Sequence, residues 1–206
     1  MRRRAPAAVV AAVAFLAAAP AMARGEIEDY ALATFEPGER GKVSPYAGFA
    51  RRVIDERGFF AAVISSAETV EQPRPGVWRI TVPDYRPTDP PRVCIAAIDA
   101  TRRPGLTMAA IQARIGEVIA PGTVFERYAA AEMDSIEARS IQPWAGQAGK
   151  PGPKIAVWVG PRAGRYNAVG ALPAPAGTLL IGCTGPTAGA ATQQMLSLFK
   201  PAAGLL

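Results

Sequence analysis

Histidine, the side chain that most often carries acid-base catalysis, is absent from this sequence of 206 residues. Its absence excludes Ser-His-Asp and Cys-His hydrolases and the usual histidine-ligated zinc, haem and copper sites. Chemistry by a pair of carboxylates, as in glycosidases, or by a Ser/Lys dyad stays open. The carboxylates expected near strand ends are Asp99, Glu126, Glu132, Asp134 and Glu137. Such residues more often solvate a strand edge, so we assign no catalytic residue, no metal site and no cofactor.

An aromatic residue and two arginines in expected loops are the candidates for ligand binding. Trp144 lies in the Gln142–Gly146 loop, where an exposed ring could anchor a ligand or a partner. Arg162 and Arg165 lie in a turn at residues 160–165 and could hold an anion. The structural alternatives are a tryptophan that packs beneath its own loop and two solvated arginines on a hairpin turn, which are the commoner uses of such residues.

The two cysteines, Cys94 and Cys183, both fall in apolar runs that we interpret as strands. In an oxidising compartment, such a pair favours a disulfide over two free thiols. The alternative is a pair of buried thiols that lie too far apart to bond, because sequence alone does not provide their separation.

The N-terminus has the pattern of a secretory signal peptide. Residues 2–4 are arginines, an apolar run covers residues 7–19, and Ala-Met-Ala at 21–23 provides a cleavage site. A membrane anchor needs about 18–20 apolar residues, which is more than this run contains. We therefore predict that residues 1–23 are a signal peptide and that the mature protein begins at Arg24 in the periplasm, without a stable membrane span.

The charge balance argues against nucleic acid as a partner. The chain has 23 basic and 17 acidic residues, and three of the arginines belong to the predicted signal peptide. The remaining positive excess is small and is not gathered into a basic patch interleaved with aromatic residues. We expect the partner to be a small molecule or an envelope protein. Residues 24–43 are acidic, and we interpret them as an extended arm that could contact a partner through Glu26 to Glu39.

The first half of the chain predicts two amphipathic helices separated by strands. A Ser-Pro pair begins a helix over Ser44–Glu56, in which apolar residues recur every three to four positions. Its polar face consists of Arg51, Arg52, Asp55 and Glu56. Residues 59–70 fit either a strand or a helix, and we interpret them as a strand. Val77–Val82 alternates as a half-buried strand, and Val93–Ile98 is apolar on both faces as a central strand. The second helix covers Met108–Ile119.

The second half predicts a run of strands and a final helix. The strands cover residues 123–133, 135–142, 154–159, 166–172 and 179–183. The helix buries Ala188, Ala191, Met195 and Leu198, and Lys200 suits the dipole at its end. Short connections favour antiparallel pairing. We therefore predict an α+β fold in a single domain over residues 44–206, with a mainly antiparallel sheet covered by two or three amphipathic helices.

The order of these elements resembles that of a known group. Val93–Ile98, the helix Met108–Ile119, successive strands to Cys183 and a C-terminal helix ending in Leu-Ser-Leu-Phe resemble the PsbP/Mog1-type α/β/α sandwich of several exported bacterial proteins. The resemblance spans residues 59–200 and is one of element order. It implies a non-enzymatic accessory or binding role, which is the role of most members of that group.

These observations favour an exported, periplasmic, non-catalytic binding or accessory protein with a disulfide-stapled core. One alternative is a carboxylate-dependent hydrolase that acts on cell-envelope material. Another is an envelope interaction module that uses the acidic arm.

Overall fold

The computed structural model describes residues 37–45, 50–83, 91–100, 107–113, 133–144 and 152–202. These residues form two antiparallel β-sheets of four and seven strands, two α-helices and a short 3-10 turn at Pro37–Glu39. Most of the strands are buried on both faces, as the many Val, Ile and Ala residues of the chain require.

The smaller sheet combines strands from the two ends of the described chain. Its order is β1-β2-β3-β11, and all neighbouring strands are antiparallel. The strand bounds are Val43–Pro45 (β1), Arg51–Ile54 (β2), Phe60–Ile64 (β3) and Phe199–Pro201 (β11). The rings of Phe60 and Phe199 meet edge to face with centroids 5.7 Å apart. This contact helps to hold the last strand against β3.

The larger sheet has the order β4-β5-β6-β10-β9-β8-β7. The strand bounds are Thr69–Arg74 (β4), Val77–Val82 (β5), Arg92–Asp99 (β6), Ala138–Pro143 (β7), Lys154–Arg162 (β8), Arg165–Ala174 (β9) and Gly177–Gly185 (β10). The turn between β8 and β9 consists of Ala163 and Gly164, whose φ angles are 50° and 76°. Positive φ at both central residues is the geometry of the tight hairpin turns whose twist matches that of the strands.

The two helices are Met108–Ala113 (α1) and Ala188–Leu198 (α2). Thr187 caps α2, because its side-chain oxygen accepts a hydrogen bond from the backbone N–H of Ala190 at 3.2 Å. Gly185 lets the helix approach β10 closely, since a Cβ atom there would lie 2.6 Å from the backbone nitrogen of Ala191. In the described part of the chain, no helix is long and apolar enough to cross a membrane.

The main hydrophobic core lies between the two sheets and beneath α2. The smaller sheet contributes side chains such as Phe60 and Ile64, the larger sheet contributes Ile80 and Ile181, and α2 contributes Met195. The opposite face of the larger sheet has its own core, which contains Ile95, Trp158, Leu180 and, from α1, Ile111. The larger sheet is therefore covered on both faces.

The helix predicted over Ser44–Glu56 is wrong. Residues 43–45 and 51–54 form β1 and β2, while residues 46–49 lie outside the described residues. The spacing of the apolar residues predicted a helix with Arg52 on its polar, exposed face, but Arg52 is only 6% exposed. A short strand buried on both faces and an amphipathic helix share this pattern, and pairing with β1 and β3 decides between them.

The predicted fold class is also wrong. The described residues are mostly strand and form two antiparallel sheets, whereas the prediction was one sheet covered by two or three amphipathic helices. The α/β/α sandwich implied by the resemblance is corrected with it. The missed strand β11 shows the physical reason: after α2 the backbone becomes extended at Phe199, with φ −94° and ψ 135°. Lys200 therefore continues into the smaller sheet instead of ending a helix.

Several local predictions are confirmed. Val77–Val82 is β5, and the predicted strands at 93–98 and 154–159 lie within β6 and β8. The strand interpretation of residues 59–70 is confirmed at Phe60–Ile64. The final helix is confirmed, and the second helix is confirmed over its first six residues. Residues 1–36, 114–119 and 123–132, with their predicted signal peptide, helix end and strand, lie outside the described residues.

Candidate functional site

A buried carboxyl group organises the turn between β2 and β3. Asp55 is fully buried, and its Oδ2 accepts hydrogen bonds from the backbone N–H groups of Arg57 at 3.0 Å and Phe59 at 3.3 Å. Gly58 adopts a φ of 71°, and its N–H donates to the Asp55 carbonyl at 2.9 Å. The sequence Asp-Glu-Arg-Gly folds in this way because a short acidic side chain can bind the N–H groups of its own turn.

The next residue, Glu56, reaches from this turn to the larger sheet. Its Oε1 accepts hydrogen bonds from the backbone N–H of Gly76, at 3.2 Å, and from the side-chain amide of Gln72. Gly76 lies in the turn between β4 and β5, and Gln72 lies in β4. On its other side Glu56 packs against Gly41, where a Cβ atom would come within 3.0 Å of the Glu56 Cγ. Glu56 therefore links the two sheets.

The other oxygen of each carboxyl group is buried without a conventional donor. Asp55 Oδ1 and Glu56 Oε2 are both buried, and no N–H or O–H group of the described residues donates a hydrogen bond to either oxygen. Burial raises the pKa of Asp55 from 3.8 to about 6, and the neighbouring Glu56 also raises it. The hydrogen bonds from the backbone N–H groups of Phe59 and Arg57 act in the opposite direction and lower this pKa. Burial would also raise the pKa of Glu56, but hydrogen bonds from its own N–H, Gly76, Asp55 and Gln72 outweigh it, so this pKa is lowered.

An acid of raised pKa beside an ionised carboxylate is an arrangement suited to acid-base chemistry. However, Asp55 is fully buried, so a substrate cannot reach it without movement of the turn. The pair therefore acts as a joint between the sheets. The helix predicted over Ser44–Glu56 placed both residues on its polar face, so the pair was not predicted. The signal that could have found it is the adjacent pair of acids directly before Arg57 and Gly58.

A second ion pair lies next to this turn. The Nη2 of Arg52 lies 2.8 Å and 2.7 Å from the two carboxylate oxygens of Glu39, and the Ser44 hydroxyl donates to Glu39 at 3.1 Å. Glu39 is the last acidic residue of the predicted arm. Its carboxylate is thus engaged within the chain, on the edge of the smaller sheet.

The two cysteines form a disulfide within the larger sheet. Cys94 in β6 and Cys183 in β10 are directly opposite one another in the pairing of these strands, and both are fully buried. The predicted disulfide is therefore confirmed by the structure. It lies in the core between the sheets.

Trp144 lies in the core between the sheets. Its side chain is fully buried, and its indole N–H donates to the backbone carbonyl of Phe199 at 2.8 Å. Its backbone N–H donates to the carbonyl of Pro153 at 2.8 Å. The ring thus anchors the end of β7 to β11 and is not available at the surface.

Arg162 and Arg165 are paired across the turn between β8 and β9. Arg162 forms an ion pair of 2.8 Å with Asp134, and both side chains are about half exposed. Arg165 donates to the carbonyl of Pro91 at 3.2 Å. Trp144 directly follows Pro143, which pairs with Lys154 at the start of β8, whereas Arg162 lies at the end of β8. At about 3.3 Å per residue, the tryptophan and the arginines lie far apart, and whether the arginines bind a ligand stays a prediction.

The carboxylates considered for catalysis do not gather in one place. Asp99 is buried at the end of β6, whereas Asp134 is exposed and paired with Arg162. The backbone N–H of Glu137 donates to Val159 at 2.9 Å, and Glu126 and Glu132 lie outside the described residues. Within the described ranges, no group of three or more Cys, Asp and Glu side chains is placed to hold a metal ion.

Comparisons with known proteins do not assign the chain. No protein-family model matches it, and no curated protein matches its sequence.

Proposed function

We propose that this chain is an exported, periplasmic binding or accessory protein without catalytic activity. The observation that carries the proposal is the buried disulfide between Cys94 and Cys183. Disulfides form and persist in oxidising compartments and are rare in the cytosol. The signal-peptide pattern at residues 1–23 and the disulfide therefore agree on export.

The use of the polar side chains supports a binding role over a catalytic one. Asp55 and Glu56 bind backbone N–H groups, Glu39 binds Arg52, and Trp144 binds a backbone carbonyl. Each of these groups serves the fold. The turn between β8 and β9, with Arg162 and Arg165, offers cationic side chains at the surface that suit an acidic ligand or partner.

Export is tested by expressing the full chain in a Gram-negative host and separating periplasm from cytoplasm. We expect mature protein beginning at Arg24 in the periplasm, with both cysteines unreactive to maleimide under denaturing conditions until a reductant is added. A variant without residues 1–23 is the control and should remain in the cytoplasm with reactive thiols. Uncleaved protein in the cytoplasm with two reactive thiols would overturn the proposal.

The hydrolase alternative is tested on isolated cell-wall sacculi, which supply envelope glycans. We expect the purified mature protein to release no soluble glycan fragments. Release that is lost in Asp99→Asn or Asp134→Asn would favour the carboxylate-dependent hydrolase instead. Co-sedimentation with sacculi, measured in the same samples, tests whether the protein binds this material.

A further inference from the structure

We propose that Asp55 and Glu56 share one proton and that this proton locks the β2–β3 turn of the smaller sheet to the β4–β5 turn of the larger sheet. The device is a pH-sensitive joint that is closed in acid and loosened near neutral pH. It does not depend on the proposed function.

Two buried carboxyl oxygens point to a proton shared between the two residues. Asp55 Oδ1 and Glu56 Oε2 are both buried, and neither has a conventional hydrogen-bond donor. A hydrogen bond between the two side chains is also among the causes that raise the pKa of Asp55 and lower the pKa of Glu56. Two carboxylate oxygens are both acceptors, so a bond between them exists only when one carries a proton. One proton shared by the pair would satisfy both buried oxygens.

Asp55 is the residue that holds this proton. It is fully buried while Glu56 is only partly buried, and burial raises the pKa of Asp55 to about 6. Because the pKa of Asp55 is raised in the folded state, the protonated carboxyl stabilises the fold. This stabilisation is complete at a pH below the pKa of the unfolded chain, and it is lost as the pH rises through about 6. The lowered pKa of Glu56 acts in the opposite sense, but at more acidic pH. Between pH 5 and pH 7.5 the Asp55 effect dominates.

Loss of the proton places two negative charges side by side. Glu56 is the more exposed of the two and therefore turns away, which breaks its bonds to Gly76 and Gln72. The charge that acts on the Asp55 carboxyl is that of Glu56. The elements around the pair carry further charged groups, and of these Glu39 and Arg52 pair with each other. The others are Arg57 on the same turn, Arg51 on β2, Arg40 and Lys42 on the loop that contains Gly41, Glu71 and Arg74 on β4, and Arg79 on β5, of which Arg79 pairs with Glu71.

The test is hydrogen-deuterium exchange of the backbone amide of Gly76 at pH 5 and pH 7.5, corrected for the intrinsic exchange rate. We take the pKa of Asp55 as 3.8 when the joint is open and about 6 when it is closed. The protection of the Gly76 amide against exchange should then fall roughly tenfold from pH 5 to pH 7.5. Asp55→Asn replaces the shared proton with an amide that donates to Glu56, so its Gly76 protection should not fall. Asp134→Asn, at an exposed carboxylate, should keep the wild-type fall.

Two results would overturn the joint. One is Gly76 protection that does not change with pH in the wild type, and the other is an Asp55→Asn variant with the same fall as the wild type. If the variant does not fold, as judged by circular dichroism, the wild-type carboxyl carbon of Asp55 can be titrated by NMR. A titration midpoint below about 4.5, near the ordinary range for aspartate, would then overturn the proposal.

Discussion

At the scale of single residues, two buried tryptophans differ in whether the indole N–H has an acceptor. Trp144 donates to the carbonyl of Phe199 at 2.8 Å, whereas the indole nitrogen of Trp78 is buried and has no partner. We expect Trp144→Phe to lower the free energy of unfolding by about 1–3 kcal/mol more than Trp78→Phe does, because it leaves a buried carbonyl unpaired. Urea denaturation of both variants measures the difference.

The Trp78→Phe variant is a matched control, since both side chains are almost fully buried and lose the same atoms. Its cost comes from the cavity alone. Equal destabilisation by the two variants would show that the bond from Trp144 to β11 contributes nothing measurable.

The ion pairs also divide into a buried and an exposed class. The Arg52 side chain is 7% exposed in its pair with Glu39, while Arg79 is 42% exposed in its pair with Glu71. We expect Glu39→Gln to lower the free energy of unfolding by about 2 kcal/mol, because it removes the carboxylate charge that faces a buried guanidinium. Glu71→Gln should change it by less than about 0.5 kcal/mol. Thermal unfolding of both variants tests this contrast, and similar small effects would contradict it.

Which residues sequence could identify depends on how far their partners lie along the chain. The Cys94–Cys183 disulfide was predictable because the signal-peptide pattern predicts an oxidising compartment, in which two cysteines usually bond. The roles of Asp55 and Glu56 were not, since Glu56 is defined by its contact with Gly76 in another sheet. Trp144 was correctly placed in a loop, but its acceptor, the carbonyl of Phe199, lies on a strand that was not predicted.

At the scale of elements, β8 needs a glycine at position 160, where residues 133–137 pass close to its backbone. A Cβ atom at Gly160 would lie 1.8 Å from the carbonyl oxygen of Ser135. The backbone N–H of Asp134 bonds to Pro161 at 2.8 Å in the same place. We expect Gly160→Ala to displace residues 133–137 from β8 and to lower the free energy of unfolding by about 3 kcal/mol or more. Chemical denaturation measures this loss.

A second glycine in open surroundings is the control for this substitution. A Cβ atom at Gly189, in the first turn of α2, would meet nothing within 4 Å. Gly189→Ala should be neutral or stabilise by up to about 1 kcal/mol through helix propensity. Two alanine variants of equal stability would show that the approach of Ser135 to β8 is not tight.

Elements were predictable where a single local pattern was strong. The alternation in Val77–Val82 and the periodicity of Ala188–Leu198 identified β5 and α2. The three-residue strands Val43–Pro45 and Phe199–Pro201 are too short to carry a period, and they form because β2 and β3 offer free edges. Their prediction would have required knowledge of the partner strands.

At the scale of the whole molecule, the chain crosses between the sheets and returns. It leaves the smaller sheet after β3, builds the larger sheet, and comes back through α2 to add β11 beside β3. Cross-sheet bonds then reinforce this route: Glu56 binds Gly76, and Trp144 binds Phe199. The core between the sheets is therefore closed by contacts from both ends of the described chain.

The disulfide acts on the same core by restricting the unfolded chain. It joins residues separated by 89 positions, for which loop-closure entropy predicts about 4.5 kcal/mol of stabilisation. We expect reduced wild-type protein to have a free energy of unfolding lower by about this amount, measured in guanidinium chloride with and without a phosphine reductant. Cys94→Ala with Cys183→Ala should lose more, because two buried sulfur atoms are removed as well. If the oxidised and reduced proteins unfold at the same denaturant concentration, the cross-link does not stabilise the fold.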